Sequence, residues 1–142
     1  MAIFITNDDV RKLLPMDECI EVLDDLFRQE AAGLVENLAR RRFRVGGTSA
    51  PPGPPANLMG GVVAGSHAYA TRHNSVTLLH NTDTNKLEAV LEPGAIATIR
   101  TGAATGVAVK YMSRPDATVA GVIGTGRLAG IQIDAIRAVR DL

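Results

Sequence analysis

Residues 119–130 read VAGVIGTGRLAG, the stretch whose residue types and spacing could most directly do chemistry. Gly124-Thr125-Gly126-Arg127-Leu128-Ala129 fits the dinucleotide fingerprint G-x-G-x-x-G/A. The first glycine permits a tight turn and the second lets backbone approach a pyrophosphate. A small third residue lets the following helix pack closely against the preceding strand. Leu128, Ile131, Ala135, Val139 and Leu142 recur at steps of three or four. An amphipathic helix is therefore expected, its N-terminal amides and positive dipole end facing the phosphates. Gly124, Thr125, Gly126, Arg127, Leu128 and Ala129 are the candidate cofactor contacts, with NAD or NADP as the cofactor. The acidic residue that would hold a ribose hydroxyl is expected about 20 positions further on, past Leu142.

Other chemistry-bearing residues read more blandly. His67, His73 and His80, with Asp83, invite a metal site, but spacings of six and seven match no standard ligand pattern. No metal is expected. Thr82-Asp83-Thr84-Asn85 resembles part of a calcium loop, yet lacks the glycine and the distal glutamate, and reads as a hairpin turn. Cys19 lies within a helix without a partner spacing and is assigned to packing. In LARRRFRV, residues 38–45, an extended backbone puts Arg40, Arg42 and Arg44 on one face. Ala39, Phe43 and Val45 then fall on the other. Taken alone, such an arginine run is a solvated strand face.

These groups need elements to position them. Thr6-Asn7-Asp8-Asp9 resembles a helix start and leads into a short helix over Val10–Leu14, ended by Pro15. A second helix is predicted from Asp17 to Ala32, with Ile20, Leu23 and Phe27 on one face and Gly33 as its C-terminal glycine. Gly46–Asn57, GGTSAPPGPPAN, cannot join a helix or a central strand and suits a surface loop or lid. Leu58–Ala70 reads as one or two buried strands. Val76–His80 and Leu87–Leu91 read as a hairpin around residues 81–85. A small-residue helix is predicted over Ala95–Met112, and then a strand over Thr118–Ile123 that delivers the glycine turn.

Bulk properties bound the rest. The 142 residues carry 15 basic and 15 acidic side chains, a formal net charge of +0, so neither nucleic acid nor an anionic membrane is an expected partner. Hydrophobic residues make up 46% and charged residues 21%, a normal globular balance. A lone cysteine fits a reducing cytoplasm, the N-terminus lacks a signal-peptide pattern, and no apolar run reaches about 18 residues. One strand and one helix cannot complete a parallel sheet, so the chain is read as the N-terminal portion of a longer enzyme.

Four segments together resemble the ornithine cyclodeaminase/mu-crystallin family. They are NDDVRKLLPMDECIEVLDDLF, GLVENLARRRFRV, IRTGAATGVAVKYMSRPDA and GVIGTGRLAG, in the family's order from the first helix to Leu142. The RTGAA helix followed closely by GTG is the most specific part. The resemblance implies an α/β fold: a mixed α+β substrate and dimerisation domain over residues 1–116. The first β-α unit of a truncated Rossmann domain would follow over residues 117–142. It implies an NAD(P)-linked enzyme on amino or imino acids, of cyclodeaminase, ketimine reductase or alanine dehydrogenase type, and a homodimer. In the cyclodeaminase reaction, hydride leaves the α-carbon for the nicotinamide and an imine forms. The side-chain amine then closes onto that imine, ammonia departs and the hydride returns, giving proline. The portion present here is expected to be inactive alone.

By the same resemblance, Arg100 falls on an arginine that grips the substrate carboxylate, a task suited to its planar two-pronged fork. The competing reading is an arginine capping or bridging its helix. Arg40 falls on a second carboxylate-binding arginine. The family usually has proline just before it and this chain has Ala39, so the role could belong to Arg42. His67 falls where the family often has a substrate-contacting lysine. Imidazole is shorter and only partly protonated near neutrality, so His67 is either a proton donor or a structural histidine. The family's acidic catalytic residue has no counterpart within these residues. Mu-crystallin-like members supply the rival reading, a non-catalytic ligand-binding or dimerisation protein on the same scaffold.

Overall fold

In the computed structural model, residues 1–43 and 55–142 are described. Arg44, Val45 and most of the predicted 46–57 loop lie outside them. The described residues form a mixed α/β fold with one six-stranded sheet and four helices. The chain divides into two compact units. The first contains residues 1–6 and 29–93, the second residues 7–28 and 94–142.

The first unit holds the sheet, in spatial order β1-β6-β5-β4-β3-β2. Strands β2 (Val35–Phe43), β3 (Ala56–Val63), β4 (Ala68–Arg72), β5 (Thr77–Asn81) and β6 (Leu87–Leu91) pair antiparallel in succession. β1 (Ile3–Ile5) joins parallel to β6, with Phe4 opposite Val90. The predicted hairpin is β5–β6. Asn81 Oδ1 builds its turn by accepting from the amides of Asp83 and Thr84 at 3.0 and 2.9 Å, a side chain mimicking a backbone turn. The predicted alternation in LARRRFRV is interrupted. Leu38 faces Gly60 but Arg41 faces Leu58, so β2 carries one extra residue there, a β-bulge that re-aims neighbouring side chains. β2 is an edge strand, and its arginines suit an exposed edge that must not pair indiscriminately.

The second unit is helical: α1 (Asn7–Leu13), most of α2 (Met16–Ala31), α3 (Pro93–Met112) and α4 (Ala129–Arg137). Pro15 separates α1 from α2, as expected of a residue that cannot donate to a continuing helix. Gly33 takes φ +75° and Leu34 N–H reaches back to the Gln29 carbonyl at 2.9 Å, the glycine-ended helix the sequence predicts. The helical core is built of Val10, Cys19, Ile20, Ala95, Ile99, Ala103, Val107 and Ala135, small or branched and without aromatics. Burial pushes the Cys19 thiol up, leaving it an inert packing group.

The small residues of α3 let three helices close on one another. A Cβ at Gly106 would meet Ile20 of α2, and one at Gly102 would lie 2.8 Å from the Ile131 carbonyl of α4. Further along, α3 and α2 are tied by charge. Lys110 Nζ donates to Asp24 Oδ2 at 2.6 Å and the Tyr111 hydroxyl donates to the same oxygen at 2.8 Å. These bonds, with Arg28 nearby, hold the Asp24 carboxyl below the usual carboxylate range, and Asp24 in turn raises Lys110.

One predicted element is absent. Residues 114–125 contain neither helix nor strand, and Val119 and Ile123 are 87% and 105% exposed. A parallel strand needs neighbours for its N–H and C=O groups. No strand among the described residues lies beside Thr118–Ile123.

Candidate functional site

The glycine turn sits at the start of α4. Gly124 takes φ +103°, a conformation L side chains rarely adopt, so the first motif glycine is required by the turn itself. A Cβ at Gly126 would meet nothing within 4 Å, which leaves its backbone open to a ligand. The Ala129 amide bonds the Gly126 carbonyl at 2.9 Å, and Leu128 occupies the N-cap without a side-chain cap. Helix starts leave amides without intrahelical partners, and an oxyanion satisfies them well. Arg127 Nη1 reaches Thr98 Oγ1 of α3 across 3.4 Å, a long contact. Beside it lies a cavity of about 520 Å³ within the helical unit, lined by Asn7, Arg11, Thr98, Arg127 and Asp134 among others. Sequence reading missed this cavity, because its walls come from all four helices, separated along the chain.

Arg100 projects from α3, exposed. Among the described residues its guanidinium has no hydrogen-bond or ion-pair partner, so it neither caps nor bridges its own helix there. The start of α3 is capped instead by Asn7, whose Oδ1 accepts from the Ala95 amide at 2.6 Å. Arg100 precedes Gly102 by two residues, so the helix that carries it is the one docked against Ile131 of α4.

In the sheet unit, Arg40 and Arg42 line one cavity of about 540 Å³. The bulge does not separate them, and the two registers considered for the carboxylate-binding arginine lead to the same place. Arg40 Nε donates to the Met59 sulfur at 3.1 Å, a weak acceptor that fixes the stem and leaves the terminal fork available. Arg72, opposite Met59 in the β3–β4 pair, and the adjoining His73 line the same cavity. Nothing local in the sequence marks these two. They reach Arg40 only through the pairing of β2, β3 and β4.

His67 stands elsewhere. It occupies the β3–β4 turn at φ +53°, and its Nδ1 is 2.8 Å from Asp83 Oδ2, both side chains being well exposed. Val63, where that turn leaves β3, is four residues beyond Met59, roughly 13 Å along the strand at the usual rise. Arg40 and His67 are therefore not brought together in this unit. The other histidines also have separate surroundings: His73 lines the arginine cavity, and His80 stacks on Tyr69 with ring centroids 4.8 Å apart. Among the described residues no three His, Cys, Asp or Glu side chains converge as metal ligands.

The family model of the ornithine cyclodeaminase/mu-crystallin family matches residues 2–142. The chain belongs to that family. It is similar to alanine dehydrogenase of Archaeoglobus fulgidus, 29% identical over 148 aligned positions that cover 99% of this chain and 46% of that protein. It is also similar to a Delta(1)-pyrroline-2-carboxylate reductase of Bacillus cereus, 41% identical over 69 positions, 49% of this chain and 21% of the relative. Among solved structures, the Thermococcus litoralis Delta(1)-pyrroline-2-carboxylate reductase in complex with NADH and L-proline superposes with a TM-score of 0.85. That match is 28% identical, over 99% of this chain and 47% of that one. The chain thus spans about half the length of family members that align along all of it. No helix among the described residues is long and apolar enough to cross a membrane.

Proposed function

We propose that this chain is the N-terminal part of an NAD(P)-dependent enzyme acting on an amino or imino acid. The observation that carries the reading is the start of α4. A left-handed Gly124, open space over Gly126 and a helix N-terminus without a side-chain cap together offer backbone amides that a pyrophosphate fits. Residues 124–129 would hold that pyrophosphate. When bound, the nicotinamide supplies hydride acceptance or donation.

The remaining roles belong to this chain's own side chains. Arg100 grips the substrate carboxylate with its fork, and Arg40, assisted by Arg42, provides a second carboxylate contact. His67 serves as a proton donor, its ring oriented by Asp83. Residues 1–116 form the substrate and dimerisation domain and residues 117–142 open the nucleotide domain. The edge strand β2 leaves Leu38 and Phe43 about half exposed, which supports a homodimer formed through this sheet. The neutral charge balance and single thiol agree with a cytoplasmic protein.

The separation of His67 from Arg40 keeps a second reading alive, a non-catalytic binder on the same scaffold. Assay of the complete gene product with several amino acids and both nicotinamides tests the proposal. Turnover supports the enzyme, and cofactor binding without turnover supports the binder.

A further inference from the structure

α3 and α4 lie side by side in one register. Arg127 Nη1, at the glycine turn, reaches Thr98 Oγ1, 29 positions earlier in the chain. One helical turn on, a Cβ at Gly102 would lie 2.8 Å from the Ile131 carbonyl oxygen. Another turn on, a Cβ at Gly106 would lie 3.3 Å from that of Ala135. The separation along the chain is the same in each pair, and steps of four keep one helix face toward its neighbour. The two helices are therefore parallel. Glycine lets their backbones close up but adds no side-chain ridge to interlock, so this seam resists sliding poorly by itself.

Arg140 closes the far end of the seam. Its Nη2 donates to the Val109 and Lys110 carbonyls, each at 3.1 Å. Its Nε donates to Ser113 Oγ at 3.0 Å and to the Arg114 carbonyl at 3.2 Å. Nη1 donates to the Val139 carbonyl at 2.7 Å, just past the end of its own helix. α3 ends at Met112 and α4 at Arg137, so one guanidinium serves both C-termini. Carbonyls there lack intrahelical partners and the helix dipoles are negative. A planar fork with five donors can span two helix ends, which a lysyl ammonium does less rigidly.

We infer that Arg140 is a positioning residue that locks α4 in register on α3 and so sets the glycine turn against Arg100. This rests on the carboxylate and pyrophosphate roles proposed above. Arg100 stands two residues beyond Thr98, about 3 Å along the axis at the usual rise. The register of the seam is thus the spacing between the carboxylate grip and the cofactor turn. A slip of one helical turn would shift that spacing by about 5.4 Å.

Arg140→Met in the complete gene product tests the inference through two readouts, both taken well below the variant's melting temperature. Steady-state kcat should fall roughly 10- to 100-fold, the scale of a misplacement of about 1 Å, while cofactor Kd and amino acid KM change less than about threefold. Each ligand keeps its own contacts and only their alignment is lost. Hydrogen exchange at the amides of residues 132–134, well back along α4 from Arg140, should quicken about tenfold or more. Arg140→Lys should lie between the two proteins in both measures, and it decides the matter if Arg140→Met does not fold. Unchanged kcat overturns the inference, as does a fall in kcat matched by an equal loss of cofactor affinity. So does quickened exchange confined to residues 109–114 and 136–142. Hydride transfer indifferent to Arg140→Met would sink the inference and leave the enzyme reading intact. If the unaltered product transfers no hydride, the enzyme reading fails and the exchange measurement alone decides the inference.

Discussion

Gly102 of α3 and Ile131 of α4 approach so closely that a Cβ on the glycine would lie 2.8 Å from the Ile131 carbonyl oxygen and 2.9 Å from its Cγ1. The helix bearing Arg100 and the helix opened by the glycine turn are thereby held in one packed unit. Backbone cannot yield there as a side-chain tip can. Gly102→Ala should destabilise the protein by about 1–3 kcal/mol, the usual scale of overpacking. Gly106→Ala meets the Ile20 side chain at 2.6 and 2.8 Å, with the Ala135 carbonyl oxygen further off at 3.3 Å, and should cost less because a side chain can shift. Thermal unfolding of the two variants checks the order, and a Gly106 variant that melts first would contradict it.

Arg100→Lys keeps the charge and loses the fork. In the complete enzyme, kcat/KM should fall roughly 10- to 1,000-fold, corresponding to about 1.5–4 kcal/mol for charge-assisted contacts. Steady-state kinetics on the best substrate decide it, and unchanged kinetics would remove Arg100 from the substrate site.

The Asp24–Lys110–Tyr111 cluster gives stability a defined pH window. Asp24 is lowered in the folded state, so its contribution is present above the unfolded carboxylate value near pH 4 and is lost as pH falls through the folded value. Lys110 is raised, so its contribution is present below about pH 10.4 and is lost as pH rises through its folded value. Asp24→Asn should lower the melting temperature near neutrality, with the gap to the unaltered protein closing below pH 4. Melting curves across pH would contradict this if the gap stayed constant in acid.

The 142 residues alone should bind dinucleotides weakly. α4 has nine residues, an isolated helix of that length is marginal, and Thr118–Ile123 has no sheet to fix it. Ordering the turn on binding costs on the order of 1 kcal/mol per residue, which offsets what phosphate contacts provide. Titration with NAD(H) and NADP(H) should give dissociation constants weaker than about 10 µM, or about −7 kcal/mol. Tighter binding would mean that the cradle is already preorganised.

Strong local signals carried the sequence reading. The helix ended by Gly33, the small-residue helix of α3 and the β5–β6 hairpin each announce themselves through periodicity or turn chemistry. What local sequence could not carry was contact across long separations. The three residues of β1 are too short to show a period, yet pair parallel with β6. Asn7 caps a helix 88 positions away, and Arg72 and His73 meet Arg40 only through sheet register. The bulge at Leu38–Arg41 breaks an alternation that the residue types alone suggested. Thr118–Ile123 has the composition of a strand, but pairing needs a neighbour that composition does not supply.

The enzyme proposed for the complete gene product moves hydride between an amino or imino acid and a nicotinamide. Absorbance at the reduced-nicotinamide band, followed with the complete gene product and a panel of amino acids, measures that transfer directly. The account predicts substrate-dependent reduction of NAD or NADP that weakens sharply in Arg100→Lys. A folded product that binds the cofactor and its acids, yet transfers no hydride with any of them, would contradict it.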